Sequence, residues 1–306
     1  MTDRWAGPGA GLGFPEDEAR IVVERALDED LGTSDGGAGR DVTTLATIPA
    51  DQRGVAHLVA RQDGVLAGLP VVGLVLDAVD RRLGTGAAAV ETHRADGERF
   101  ARGDRLATVR GPARTLLVAE RTVLNVLSRT SGVATHTRRW ADALEGTGAT
   151  VLDTRKTTPG LRALEKYAVR CGGGTNKRMG LHDVAMVKDN HKLAAGGLTA
   201  AYDAVRAAYP DVEVQVEVTT TAEALESVAA GARFLLCDNM SPDLLRETVA
   251  AVRATGEAVE IEGTGGLTLD VVREYGETGV DHLSVGALTH SSPIVDIALD
   301  LDVTGG

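Results

Sequence analysis

The stretch Phe234–Gly266, FLLCDNMSPDLLRETVAAVRATGEAVEIEGTGG, holds one full turn of the pattern that decides the fold. Phe234–Asp238 is an apolar run of strand length that stops on a carboxylate. Ser241-Pro242 then offers an N-cap and a first helical residue, and Gly256 stands where the chain leaves the helix. Val259–Glu262 is a second strand, followed by Gly263-Thr264-Gly265-Gly266. Strand, helix and strand in succession predict a βα unit with parallel strands, because only a long crossover returns the chain to its starting edge.

The same rhythm extends in both directions. Short β-branched runs at Thr150–Asp153, Val184–Lys188 and Val212–Val218 precede this unit and His282–Gly286 follows it, with Gly231 and Gly279 as further helix exits. Six such runs predict a barrel rather than a short open sheet. Within Val212–Val218, VEVQVEV, the valines face covering helices while Glu213, Gln215 and Glu217 face the lumen.

In a βα barrel the loops that follow the strands build the active site. Here the strand ends read Asp153-Thr154-Arg155-Lys156, Lys188-Asp189-Asn190-His191, Glu217, Asp238-Asn239, Glu262-Gly263-Thr264-Gly265-Gly266 and Gly286-Ala287. The chain carries a formal net charge of -12, yet the window Thr150–Lys192 has nine basic residues against four acids. A local positive surplus in an acidic protein points to an anionic ligand. Arginine grips a planar carboxylate or phosphate with two parallel hydrogen bonds, and lysine acts as a point charge. Glu217 and Asp238 are candidates for Mg²⁺ and for ribose hydroxyls, since hard cations choose oxygen ligands. A helix expected to begin near Thr268 would place the 262–266 turn at its N-terminus, where backbone N–H groups cradle phosphate.

No GxSxG motif is present, Cys171 lacks a clear base, and both Cys171 and Cys237 read as small buried hydrophobes. Substitution through a cationic transition state therefore suits the site better than acyl transfer. With 3% aromatic residues and a pI near 5.1, a nucleic-acid partner is not expected. The absence of a long apolar run or a basic-then-apolar start argues against a membrane span or export, which leaves a cytoplasmic protein.

The N-terminal half has a different texture. Residues 1–14 are glycine-rich and aperiodic, and read as a disordered tail. A helix follows from Pro15 to a glycine stop at Gly32, with Ile21, Val22, Ala26 and Leu27 on its apolar face. The 32–40 loop reads as a tolerated surface insertion. Strands are expected at Val55–Ala60 and Val65–Leu69 and within Gly97–Val109, and a helix over Pro70–Arg82. A long helical region from Leu116 carries Arg121, Asn125 and Arg129 on one face. The expected division is a tail (1–14), an N-terminal α/β sandwich-like domain (15–131) joined by the C-terminal tail (287–306), and a barrel domain (132–286).

Taken together, the pieces EDLG…DVTT, GVLAG, ERTVLNVLSRTSGVAT, DTRKTTPGLRALEKYAVRCGGG, MVKDNH, LLCDNM and VDHLSVGALTHS resemble the quinolinate phosphoribosyltransferase family from about Ala26 to Leu301. The resemblance implies an α/β protein with the type II phosphoribosyltransferase fold, an N-terminal sandwich-like domain joined to an incomplete parallel α/β barrel, assembled as a homodimer or higher homo-oligomer. It implies transfer from phosphoribosyl pyrophosphate to quinolinate with decarboxylation, requiring Mg²⁺ and no organic cofactor. It places Arg155, Lys177, Arg178 and Lys188 on the quinolinate carboxylates, with Arg121 reaching in from a neighbouring subunit. Lys156 falls on the donor and its pyrophosphate, Glu217 and Asp238 on its ribose hydroxyls and metal, and Thr264, Gly265 and Gly286 on the 5-phosphate with His290 beside them. Lys156, Glu217 and Asp238 are the implied catalytic groups. Two positions depart from the family pattern: Lys177 stands where histidine is usual, and Glu262-Gly263-Thr264-Gly265-Gly266 replaces ESSGG. A related enzyme acting on another pyridine-like acid, and an inactive metabolite-binding homologue, are the alternatives.

Overall fold

A computed structural model describes residues 13–32 and 39–303. The expected tail falls outside these residues up to position 12, and the expected insertion from 33 to 38. The described residues divide into two compact units, one comprising 13–32, 39–136, 157–173 and 291–303, the other 137–156 with 174–290.

The first unit opens with α1 (Glu16–Leu31), whose first turn holds three acids and whose end is capped by Gly32 in the left-handed conformation, its N–H donating to the Asp28 carbonyl at 3.1 Å. Its buried face runs through Ala19, Val23, Leu27 and Leu31, one residue per turn. Ile21, expected on that face, is 69% exposed, because the i, i+4 row through Ala19 is the one that meets the core. Next come α2 (Val42–Thr47), β1 (Arg53–Ala60), β2 (Gly64–Val65), α3 (Val71–Leu83), β3 (Ala89–Thr92), β4 (Arg99–Phe100), β5 (Arg105–Pro112) and α4 (Ala113–Ala143), with α5 (Arg162–Cys171) after the crossover. The final strand, β12 (Ile297–Val303), pairs antiparallel with β1 from Ala60–Ile297 to Gly54–Val303, giving a sheet of order β12-β1-β5-β3. Leu58, Val109, Val75, Val79, Leu27, Leu116 and Leu127 belong to one buried cluster built from strands and helices.

Two expectations fail here for identifiable reasons. Val65–Leu69 is not a strand beyond β2, because Gly68 turns the chain at φ 93° and the Asp96 carboxylate takes the Gly68 and Leu69 N–H groups at 2.9 and 3.0 Å. The helix α2 was not anticipated, although Asp41 is a strong N-cap that accepts from Thr43 and Thr44 N–H.

The second unit contains β6 (Thr150–Leu152), β7 (Val184–Val187), β8 (Glu213–Val218), β9 (Phe234–Asp238), β10 (Glu260–Thr264) and β11 (His282–Ser284). All pair in parallel in the order β6-β11-β10-β9-β8-β7, so β6 and β7 are edges and the barrel is incomplete. The helices are α6 (Asp189–Ala195), α7 (Leu198–Ala208), α8 (Thr221–Ala229), α9 (Pro242–Arg253), α10 (Val272–Gly276) and α11 (Ala287–His290). Ser241 caps α9 by accepting the Leu244 N–H at 3.3 Å, as its Ser-Pro start requires. Val214, Val216 and Val218 are buried, and so are Gln215 and Glu217, the signature of a strand covered on both faces. The helix expected from Thr268 starts instead at Val272 and has five residues. Gly265 and Gly266 reverse the chain at positive φ (97° and 60°), and the turn that follows uses up Thr268–Val271.

Within the first unit, α4 passes unusually close to the segment after Ser291. Arg129 donates to the Ser292 carbonyl at 2.9 Å, and the Val295 N–H to the Ser128 carbonyl at 3.1 Å. A Cβ on Gly132 would lie 2.2 Å from the Pro293 carbonyl oxygen and 2.9 Å from the Ile294 Cα, both of them backbone. In an open helix Gly→Ala stabilises by about 0.5–1 kcal/mol. Here overpacking against backbone, costing about 1–3 kcal/mol or more, decides the sign. Gly132→Ala is expected to lower the denaturant midpoint at unchanged slope; a raised midpoint would disprove the close-approach account.

Candidate active site

At the C-terminal edge of the parallel sheet the chain leaves a cleft of about 620 Å³. It is lined by Arg155, Lys156, Lys177, Arg178, Lys188, Glu217, Asp238, Thr264, Gly265, Gly286 and His290, so the strand ends bring together every sequence-predicted site residue but one. Arg121 is exposed on α4 in the first unit and does not line this cleft.

The basic groups arrive by different routes. Arg155 and Lys156 follow β6; the Lys156 N–H donates to Thr154 Oγ1 at 3.1 Å, and its carbonyl accepts from Thr289 Oγ1 at 2.9 Å. Gly286 brings β11's exit against this residue: a Cβ would lie 2.9 Å from Lys156 Cδ and 3.1 Å from His290 Nε2, so any side chain there would displace theirs. Asp153 is fully buried, and its carboxylate takes the Lys177 N–H and the Asn176 amide, both at 2.7 Å. That fixes the path of Thr175–Arg178 beside β6.

Lys177 points inward rather than across the opening. Its ammonium donates to both oxygens of the fully buried Glu262, at 2.7 and 2.6 Å. Burial is the largest influence on Lys177 and holds its ammonium below the ordinary lysine value against the pull of Glu262, with Lys188 and Arg178 pushing the same way. Glu262 was read from the sequence only as part of a glycine-rich turn; nothing in that context marks it as the partner of a residue 85 positions away.

Arg178 sits near Arg155. Burial, followed by the repulsion of Arg155, lowers its basicity. Arg155 Nε is buried without a hydrogen-bond partner. Two neighbouring guanidiniums, one with an unspent donor, have the chemistry to accept a planar anion.

Lys188 bridges to Glu217 at 2.5 Å, linking the ends of β7 and β8. Asp238 ends β9, paired in register with Thr264 of β10. The next residue, Asn239, was not singled out, yet it is the single described non-glycine residue at positive φ (52°). Its N–H donates to the Thr264 carbonyl at 2.9 Å, and a Cβ on Gly265 would come within 2.3 Å of its Oδ1. Asparagine tolerates this conformation, so the two loops interlock. Met186, Leu236 and Leu267 add apolar wall. Burial pushes the thiols of Cys171 and Cys237 up to about 12, with Asp96 and Glu262 respectively adding to it, so neither supplies a thiolate nucleophile.

The chain was compared with known proteins. The family model described as quinolinate phosphoribosyl transferase, N-terminal domain, matches residues 41–131, and the C-terminal domain model matches residues 133–300. Nicotinate-nucleotide pyrophosphorylase (carboxylating) of Mycobacterium leprae is 46% identical over 285 residues, covering 93% of this chain and 98% of that one. Quinolinate phosphoribosyltransferase (decarboxylating) 1 of Nicotiana glauca is 39% identical over 305 residues, covering 94% and 83%. The crystal structure of NadC from Streptococcus pyogenes superposes with a TM-score of 0.86 at 33% identity, covering 94% of this chain and 98% of that one.

Lys177→Met would leave the Glu262 charge buried without its partner, a change that costs about 3–5 kcal/mol. The double change Lys177→Met, Glu262→Gln removes both charges and is expected to recover much of that loss in chemical denaturation. Additive losses in the two single variants and the double would exclude a buried ion pair.

Proposed function

This chain belongs to the quinolinate phosphoribosyltransferase family, and from that premise we infer that its strand-end cleft joins a phosphoribosyl group to quinolinate. The donor is phosphoribosyl pyrophosphate and the products are nicotinate mononucleotide, pyrophosphate and CO₂, a step of de novo NAD biosynthesis. The observation that carries the reading is the pairing of crowded Arg155 and Arg178, one with an unpartnered buried N–H, in the same cleft as the Glu217 and Asp238 carboxylates. One side suits a dicarboxylate and the other a sugar and a metal.

Arg155, Arg178 and Lys188 hold the two carboxylates of quinolinate, positioning an anion that would otherwise repel the donor. Lys177 acts beneath them by neutralising Glu262. Lys156 contacts the donor and its pyrophosphate, while Thr264, Gly265 and Gly286 receive the 5-phosphate beside His290. Because the helix after this turn starts only at Val272, the turn's own N–H groups, not a helix terminus, do that work. Glu217 and Asp238 take the ribose hydroxyls and Mg²⁺. Among the described residues no third His, Cys, Asp or Glu completes a metal cluster, and two carboxylates with substrate oxygens suit an ion that keeps its waters. When bound with the donor, Mg²⁺ offsets the charge of the departing pyrophosphate.

As the ribose C1–O bond to pyrophosphate breaks, Glu217 and Asp238 stabilise the positive charge that develops on the sugar. The quinolinate nitrogen forms the new bond to C1. The C–C bond to the adjacent carboxylate then breaks, its electron pair passes into the pyridinium ring, CO₂ leaves and a solvent proton takes its place. The ring is the electron sink, so no organic cofactor is required. The enzyme works in the cytoplasm as a homodimer or higher homo-oligomer, exposed Arg121 completing a neighbouring subunit's site. Among the described residues no helix is long and apolar enough to cross a membrane.

Incubation with quinolinate, donor and Mg²⁺ is expected to release CO₂ and mononucleotide in equal amounts, with nicotinate inactive in parallel. Product from nicotinate, or binding without turnover, would replace this reading with the sister activity or a metabolite-binding role. Arg155→Ala should raise the quinolinate KM by at least about tenfold with the fold intact, since a charge-assisted bidentate contact is lost. For Arg121, an Arg121→Ala chain and an Arg155→Ala chain, each impaired alone when assayed well below the unmodified chain's quinolinate KM, should recover activity when mixed; none in verified mixed dimers counts against a shared site.

A further inference from the structure

Lys192 closes the basic window, does not line the cleft, and is nevertheless buried. A lysine has three N–H donors and no acceptor. Here the ammonium donates to Asp189 Oδ1 at 2.8 Å, Glu223 Oε1 at 3.0 Å and the main-chain oxygen of Glu217 at 3.1 Å. Three acceptors for three donors leave none unspent, which is how a buried charge is tolerated.

Each acceptor belongs to a piece of backbone that presents a cleft residue. Asp189 opens α6 and directly follows Lys188. The Glu217 carbonyl belongs to the residue whose carboxylate bridges to Lys188. Glu223 lies in the first turn of α8, and its second oxygen takes the Thr219 N–H and Oγ1 at 2.8 and 3.0 Å, so the turn between β8 and α8 is held as well. One ammonium thus joins the two turns that carry Lys188 and Glu217. Its charge is secure: burial is the largest influence and opposes it, but Asp189 and Glu223 outweigh that and hold Lys192 above the ordinary lysine value. Burial likewise raises Glu223, but the Thr219 and Lys192 hydrogen bonds prevail and hold it below the ordinary carboxylate value.

We propose that Lys192 is a positioning residue for both substrates, setting the placement of the Lys188 ammonium and the Glu217 carboxylate by bracing the turns after β7 and β8. It touches neither substrate. The proposal rests on the reading of Lys188 as a quinolinate contact and Glu217 as a donor contact, and it adds a residue that reading does not contain.

The test is titration calorimetry of the full chain with quinolinate, and separately with phosphoribosyl pyrophosphate and Mg²⁺. Lys192→Met is expected to weaken both dissociation constants on the order of tenfold, the scale on which residues supporting a site act. A merely structural role lowers the fraction of binding-competent protein, and hence the stoichiometry, at unchanged Kd. Kd values within twofold of the unmodified chain overturn the proposal. If Lys192→Met does not fold, Glu223→Ala removes one arm of the brace from a partly exposed position. It should weaken both constants about threefold, and unchanged constants there overturn the proposal equally. An unmodified chain that binds neither substrate sinks the functional reading itself, a different result from tight binding that the variants leave unaltered.

Discussion

Parallel strands cannot be joined by a tight turn, so each strand of the β6–β11 sheet hands the chain to a crossover that brings it back to the same starting edge. All six C-terminal ends therefore emerge on one side, and whatever side chains the sequence places there must meet. The cleft follows from that rule. Lys156, Lys188, Glu217, Asp238 and Gly286 are separated by as many as 130 positions, yet they share one opening because every one lies at or just past the C-terminal end of a strand. Register adds the finer placement: Asp238 sits beside Thr264, and Thr264 beside Ser284, as partners on neighbouring parallel strands.

Electrostatics then divides the assembled groups into those already satisfied and those still waiting. Lys177 is committed to Glu262, and Lys192 to Asp189, Glu223 and a strand carbonyl. Arg155 repels Arg178 more strongly than Asp183 attracts it, which raises the local demand for an anion in a chain whose net charge is -12. The positive surplus of the window between Thr150 and Lys192 is thus only partly available to a ligand. Some of it stabilises the site's own buried acids and the turns that present the rest.

Legibility from sequence tracked the range of the interaction. The α9 start at Ser241-Pro242, the glycine exits and the strand ends are set within a few residues, and each was readable. The misreadings share a cause. Ile21 looked apolar and periodic, but which helical row is buried depends on what packs against it. Val65–Leu69 looked like a strand, but Asp96, far along the chain, captured its N–H groups. Lys177, expected on a substrate carboxylate, does line the cleft, but its pairing with the chain's own Glu262 had no local sign.

By itself, then, the sequence determined the βα repeat, the polar strand ends, the resemblance to a phosphoribosyltransferase family and the roster of cleft residues, because periodicity, caps and motif spacing are local. Only the tertiary structure decided which cations pair internally, that the Gly265-Gly266 turn precedes a five-residue helix starting at Val272, and that Asn239 and Gly265 interlock. Those depend on distances between residues brought together by sheet pairing. A charge buried 85 positions from its partner has no local signature; its cost is settled only where the two meet.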